Sequence, residues 1–374
     1  MSRWIRVVAL PLVVLSVVAA ACSKSTTTGA ATGSGSGSCS SDLKVGLALD
    51  VGGLGDKGFN DLAYAGLNKA IDDGIICKEN TKYVEANAQG SNLDQEVQSL
   101  IDGGYDLIIG TGFAFTDTGK INEIAPNYPD VKFGIIDGFA TCGTVCGLPN
   151  DADKIPNVVD LTFKEQEGSY LVGVAAALEA QKLNCNNVGF LGGQTGDLIG
   201  KFQAGYEAGV ASVDPKMTVQ VEYIGDSTQA FDNPIQGEAL SNKMYDKGAC
   251  VIYHAAGNSG NGLFKAAAAQ QKIAIGVDSD QYQVVSPDLQ KWILTSMIKR
   301  VDTATYDTIK AAADGTFKGG IDQVFDLKSD GISYSTSNTA LMTQDIIDKV
   351  EAAKQKILSG AIVPPSVPPS PSGG

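Results

Sequence analysis

The sequence predicts an α/β chain made of two doubly wound parallel-sheet domains joined by a hinge. Three observations carry that expectation. Apolar strand patterns alternate with helical patterns through residues 43–358, and alternation of that length builds a parallel sheet covered on both faces. The alternation begins afresh after "NVVDLTFKEQEG" (157–168), which makes two units of similar size. The stretches 22–42 and 359–374 are rich in Gly, Ser, Thr or Pro and lack apolar periodicity, so the core-forming residues lie between them.

In the first unit, "KVGLALDVG" (44–52) is a fully buried strand pattern, and "FNDLAYAGLNKAIDDG" (59–74) has apolar residues at helical spacing with Gly74 as its stop. Strand "TKYVEAN", helix "NLDQEVQSLIDGG", strand "YDLIIGTG", helix "DTGKINEIAPNYP" and strand "VKFGIID" follow. The second unit repeats the theme. Its series runs helix "SYLVGVAAALEA", strand "NVGFLGG", helix "LIGKFQAGYEAGVASVD", strand "TVQVEYIG" and helix "QGEALSNKMYDKG". Strand "VIYHAAG", helix "NGLFKAAAAQQ" and strand "IAIGVD" complete it. Ligands of such sheets bind at the C-terminal strand ends, and two units in one chain place a cleft between those ends.

The chain ends read differently. Arg3 and Arg6 precede an apolar run from Val7 to Ala21 that stops at Cys22. A basic start, a short apolar stretch and small residues before a cysteine describe an export signal of the lipoprotein type. Residues 1–21 are then the signal, Cys22 the lipidation site, 22–42 a flexible tether and 359–374 a disordered Pro/Ser-rich tail. A spanning helix is the competing reading, but it needs about 20 apolar residues. Ala19 stands where Leu is usual in a lipobox. The formal charge of −14, with no basic stripe, argues against nucleic acid and against an anionic membrane face.

With Cys22 set aside, Cys39, Cys77, Cys142, Cys146, Cys185 and Cys250 form an even set, which fits an oxidising compartment. Six cysteines allow fifteen connectivities. The topology makes Cys185–Cys250 and Cys39–Cys77 geometrically sensible, and Cys142–Cys146 would staple a loop. One C-x-x-x-C pair and a remote lone histidine, His254, make a weak zinc pattern. No metal is expected, and His254 reads as a structural residue of its strand.

Gly53, Gly55 and Gly58 satisfy G-x-G-x-x-G, the spacing of a dinucleotide-binding turn, with Glu85 as the ribose-binding acid. Asp56 inside the loop argues against it, because its carboxylate repels a pyrophosphate unless paired. The residues around the glycines suit a flat heterocycle instead. Phe59 offers a stacking face and Asn60 a hydrogen-bonding edge, although Phe59 could equally be a staple on the first helical turn.

The stretches "DVGGLGDKGFN", "GTGFAFTD", "VDLTFKEQEGSYLVGVAAAL", "FLGGQTGDLIGKFQAGYEAGV", "YHAAGNSGNGLFKAA", "IGVDSDQY" and "TSMIKRVDTATYD" resemble successive motifs of the basic-membrane-protein family. These are PnrA-like, lipid-anchored purine-nucleoside-binding proteins that serve ABC transporters, and the resemblance runs from about Lys44 to Asp326. It implies a type I periplasmic-binding-protein fold, a nucleoside ligand, no cofactor and no catalysis. Residue by residue it implies that Phe59 and Phe202 stack on the purine, that Asn60 and Asp117 meet the base edge, and that Asp50, Gly257, Asp278 and Lys299 meet the ribose. Gly58 stands where the family has Ser, which removes a hydroxyl.

A carboxylate with an ammonium can grip a vicinal diol, and burying Asp278 without Lys299 would leave a charge unpaired, so those two are expected close together. The alternatives stay open: Asp117 as a helix N-cap, Phe202 as core, Asp278 as a strand-end cap with Lys299 solvated. Hinge crossings are expected near Phe163–Gly168, Ser279–Tyr282 and Phe317–Phe325. They give an N-terminal lobe of 43–163 plus 283–316 and a C-terminal lobe of 164–282 plus 317–358. The expected partners are a purine nucleoside, an ABC permease and the membrane through the anchor, with a monomeric, extracytoplasmic protein. A sugar- or autoinducer-binding protein of the same fold, or a surface antigen without a transport role, are the rival readings.

Overall fold

The computed structural model describes residues 39–117, 120–142 and 153–369. The export signal, Cys22 and Cys146 lie outside the described residues.

The first sheet contains β1 (Val45–Leu49), β2 (Thr81–Glu85), β3 (Leu107–Thr111), β4 (Lys132–Ile136), β5 (Val158–Phe163) and β11 (Ile321–Phe325), in the order β11-β5-β4-β3-β1-β2. Every pairing in it is parallel. The second sheet contains β6 (Asn187–Gln194), β7 (Thr218–Gly225), β8 (Val251–Ala255), β9 (Ile273–Asp278), β10 (Ile293–Lys299) and β12 (Ile332–Tyr334), in the order β12-β10-β9-β8-β6-β7. Only the edge strand β12 runs antiparallel, against β10. The central strands β1, β3, β5 and β8 are buried along their whole length, as parallel strands with helices on both faces must be. The edge strands β2 and β7 mix exposed and half-buried residues.

Two strands change sides relative to the expected division. β10 continues the second sheet beside β9, with Ser296 opposite Gly276, although 283–316 was assigned to the N-terminal lobe. β11 pairs with β5 in the first sheet, with Gln323 opposite Leu161, although 317–358 was assigned to the C-terminal lobe. Between them the helix Val301–Ala313 packs on the first lobe, against the helix Phe59–Asp72. The chain therefore crosses between lobes after Phe163, after Lys299 and after Phe325, and Ser279–Tyr282 is no crossing. The reason is pairing: an apolar run such as "ILTSMIK" satisfies either sheet, and only its neighbours decide which.

Disulfides join Cys39 to Cys77 and Cys185 to Cys250, and Cys142 is also disulfide-bonded. Among the described residues no helix is long and apolar enough to cross a membrane. No group of three or more His, Cys, Asp or Glu among them could hold a metal ion.

Candidate functional site

The C-terminal ends of both sheets face one cleft with an empty volume of about 560 Å³, its open mouth included, at the place where ligands of such sheets bind. From the first lobe it is lined by Asp50, Asp56, Phe59, Asn60, Phe113 and Asp137, and from the second by Ile199, Phe202, Phe231, Gly257, Asp278 and Lys299. Seven of the eight residues expected to bind ligand thus line it. Asp117 does not. It is exposed at the end of the short helix Ala114–Asp117, where partial burial and the nearby Asp197 push its carboxyl up.

The glycine-rich loop answers the phosphate question through its own hydrogen bonds. Gly58, at the N-cap of helix Phe59–Asp72, has no side chain to cap with. Asp56 caps the helix in its place, accepting from the backbone N–H of Gly58 at 2.9 Å, Asn60 at 2.8 Å and Asp61 at 3.3 Å. Asp61 accepts from the N–H of Gly55 and Lys57, and Glu85 from that of Leu54. A helix N-terminus attracts anions because its N–H groups lack partners. Here the chain's own carboxylates already fill that role, so a pyrophosphate would meet negative charge and few free donors. Glu85 is a brace of the loop.

Asn60 is likewise bound inward. Its Oδ1 accepts from the Asp50 N–H at 3.0 Å and the Thr111 hydroxyl at 3.1 Å, and its Nδ2 donates to Asp56 at 3.1 Å. That leaves one amide proton of the side chain for anything in the cleft.

Aromatic rings come from both lobes. Phe59 is half-buried and Phe202 buried. The Lys299 ammonium lies 5.2 Å from the Phe59 centroid and 5.5 Å from that of Phe202, so the rings can be no farther apart than the sum of those distances. Phe113 and Phe231, which sequence reasoning missed, meet edge to face across the lobes at 6.1 Å. Phe113 stands two residues past the end of β3, a position the strand-end rule could have flagged. Phe231 lies in the turn Thr228–Phe231, where no periodicity marks it.

The acids gather round one cation, the only one among the lining residues. Lys299 does not bond Asp278 as expected. It donates to both oxygens of Asp137 at 2.7 Å and pairs with Glu165 at 3.2 Å. Burial opposes its charge, but Asp137, Glu165 and Asp278 outweigh that and hold its pKa above the ordinary lysine value. Asp137 and Glu165 were missed. Asp137 ends "VKFGIID" just as Asp50 and Asp278 end their strands, so the same rule could have found it. Glu165 opens a helix and carried no such signal.

Burial pushes both Asp50 and Asp278 up to about 7, against the Val51 N–H on Asp50 and Lys299 beside Asp278. Gly112 must lack a side chain here, since a Cβ would lie 2.2 Å from Asp50 Oδ2. Asp137 and Asp278 both take left-handed backbone, with φ of 59° and 65°, a conformation costly for a non-glycine residue and concentrated at functional sites. His254 sits outside the lining, its Nε2 2.9 Å from Gln281 Oε1, and burial lowers its pKa to about 4, leaving it neutral.

Comparison with known proteins agrees with this architecture. Residues 43–366 match the sequence model of a family described as "ABC transporter substrate-binding protein PnrA-like". The chain is 35% identical over 346 residues to the "CD4+ T-cell-stimulating antigen" of Listeria monocytogenes, covering 88% of this chain and 90% of that one. It is 32% identical over 377 residues to the "ABC transporter nucleoside-binding protein BmpA" of Lactococcus lactis, covering 96% and 99%. Among solved structures, an ABC transporter solute-binding protein from Aeropyrum pernix superposes with a TM-score of 0.71 at 28% identity, over 86% of this chain and 94% of that one.

Proposed function

The chain belongs to the PnrA-like family of ABC transporter substrate-binding proteins and has the type I periplasmic-binding-protein fold, and from that premise we propose that it captures a purine nucleoside between its lobes and delivers it to a permease. One observation carries the proposal. Phe59 and Phe202, one from each lobe, line the same cleft beside a ring of carboxyl groups and a single ammonium.

A purine offers two flat faces, and sandwiching it between two rings that belong to different lobes rewards closure. The ribose offers vicinal hydroxyls that both donate and accept. Asp50 and Asp278, with pKa values near 7, present such hydroxyls with both protonated and ionised partners, and Lys299 supplies a fixed donor. Gly257, with φ of 53°, brings bare backbone to the same wall. Asn60 serves chiefly to hold Asp50 and Asp56 in place. The work is binding and release with no reaction. The lipoprotein-type signal and Cys22 fit a receptor tethered outside the cytoplasm, facing its permease.

Calorimetric titration of the full chain tests the reading. Inosine, adenosine or guanosine should bind with a saturable heat, and D-ribose alone should not. Phe202→Ala should weaken the nucleoside by about 1–3 kcal/mol, the usual worth of one base–aromatic stack. Saturable binding of a free sugar, with flat traces for all three nucleosides, would overturn the proposal.

A further inference from the structure

The ion pair at the back of the cleft joins the two lobes. Asp137 follows β4 in the first sheet, and Lys299 is the last residue of β10 in the second. Both Asp137 oxygens lie 2.7 Å from the ammonium, and both side chains are almost wholly buried. Glu165, the ammonium's other partner, begins the helix Glu165–Lys182 of the second lobe, so its contact with Lys299 stays within one lobe.

The pair also sits at the hinge. Lys299 is itself the residue before a crossing. Its ammonium is 4.8 Å from the ring of Phe163, the residue before another. Phe163 stacks on Phe325, the residue before the third, at 5.0 Å between centroids. A rotation of the lobes about these three strands must change how Asp137 meets Lys299, whereas Glu165 travels with Lys299.

We propose that Asp137 is a latch and positioning residue: from the first lobe it holds the Lys299 ammonium of the second, and so sets the balance between open and closed forms whatever the cargo. A buried charge is tolerated when its partner stays in contact and becomes costly when the partner is removed. Closure keeps the pair together in a dry site, and opening separates or hydrates it. Because lobe closure is a two-state equilibrium, a bond made only in one state shifts the populations. The held ammonium then faces Phe59 and Phe202 at a fixed point.

Small-angle scattering of the ligand-free full chain reads this balance without reference to any nucleoside. Asp137→Asn should increase the radius of gyration over the wild type. Glu165→Gln removes an equally buried carboxylate from the same ammonium, but its partners Lys299 and Lys201 both belong to the second lobe, so it should leave the radius unchanged. An unchanged radius in Asp137→Asn overturns the latch, as does equal expansion of both variants, which would mean general loosening. If Asp137→Asn does not fold, Asp137→Glu keeps the charge on a longer arm. It should expand the chain by a smaller amount, and no expansion counts against the proposal.

Discussion

Asp50 and Asp278 are buried acids whose pKa values stand near 7, against about 3.9 for an unfolded aspartate. The folded form therefore binds more protons than the unfolded form between those values. The stability each contributes is full in acid and is lost as pH rises through 7. Asp56, near 6, has the same sign. His254, lowered to about 4 by burial, has the opposite sign, with its contribution present above 6.5 and lost as pH falls through 4. Between pH 8 and 6.5 the two acids near 7 take up more protons on folding than the unfolded His254 gains, so the melting temperature of the ligand-free protein should rise as pH falls across that window. A flat or falling profile by scanning calorimetry would contradict these environments. Both acids were named through the family resemblance, and each also ends an apolar strand, where ligands of such sheets bind. Asp137 obeys the same rule and went unread. The partners of Lys299 were not legible at all, because which carboxylate an ammonium meets depends on how two sheets face each other.

Helix packing fixes where those residues sit. The helix Glu165–Lys182 is apolar on nearly every side and is enclosed by the second sheet, the helix Asp197–Val213 and the helix Gln344–Leu358. It carries Glu165, and its partner Asp197–Val213 carries Phe202. The two helices approach closely at Gly209, where a Cβ would lie 2.1 Å from the Tyr170 carbonyl oxygen. Gly209→Ala must force them apart, and overpacking of this kind costs about 1–3 kcal/mol, readable as a lowered urea midpoint. A midpoint equal to the wild type would show that the helices can yield there. The alternation of strands and helices was legible from periodicity, including the helix that begins at Phe59. The destinations of β10 and β11 were not, because "ILTSMIK" and "IDQVF" carry no mark of the sheet they join. The glycine spacing of the first loop misleads for a related reason. It reports a tight turn before a helix, while the carboxylates of Asp56 and Asp61 decide that no phosphate sits there.

Two sheets with their C-terminal ends turned toward each other make one cleft, and the chain passes between lobes three times beside it. The consequence is mechanical: Lys299 belongs at once to a crossing and to the cleft lining, and its ammonium rests on Phe163, which stacks on Phe325 at the other two crossings. In the proposed function the ligand touches both lobes only when they meet, which would make binding and closure one event. The two-lobed plan and seven of the cleft residues followed from strand order and motif. Asp117 is not among the residues that line the cleft and lies exposed at the end of the short helix Ala114–Asp117. The most direct measurement is a crystal structure of the protein grown with inosine. The purine should lie between the rings of Phe59 and Phe202, with the ribose hydroxyls against Asp50, Asp278 and Lys299. Phenylalanine rings in contact with each other, or inosine bound anywhere outside the cleft, would contradict the account.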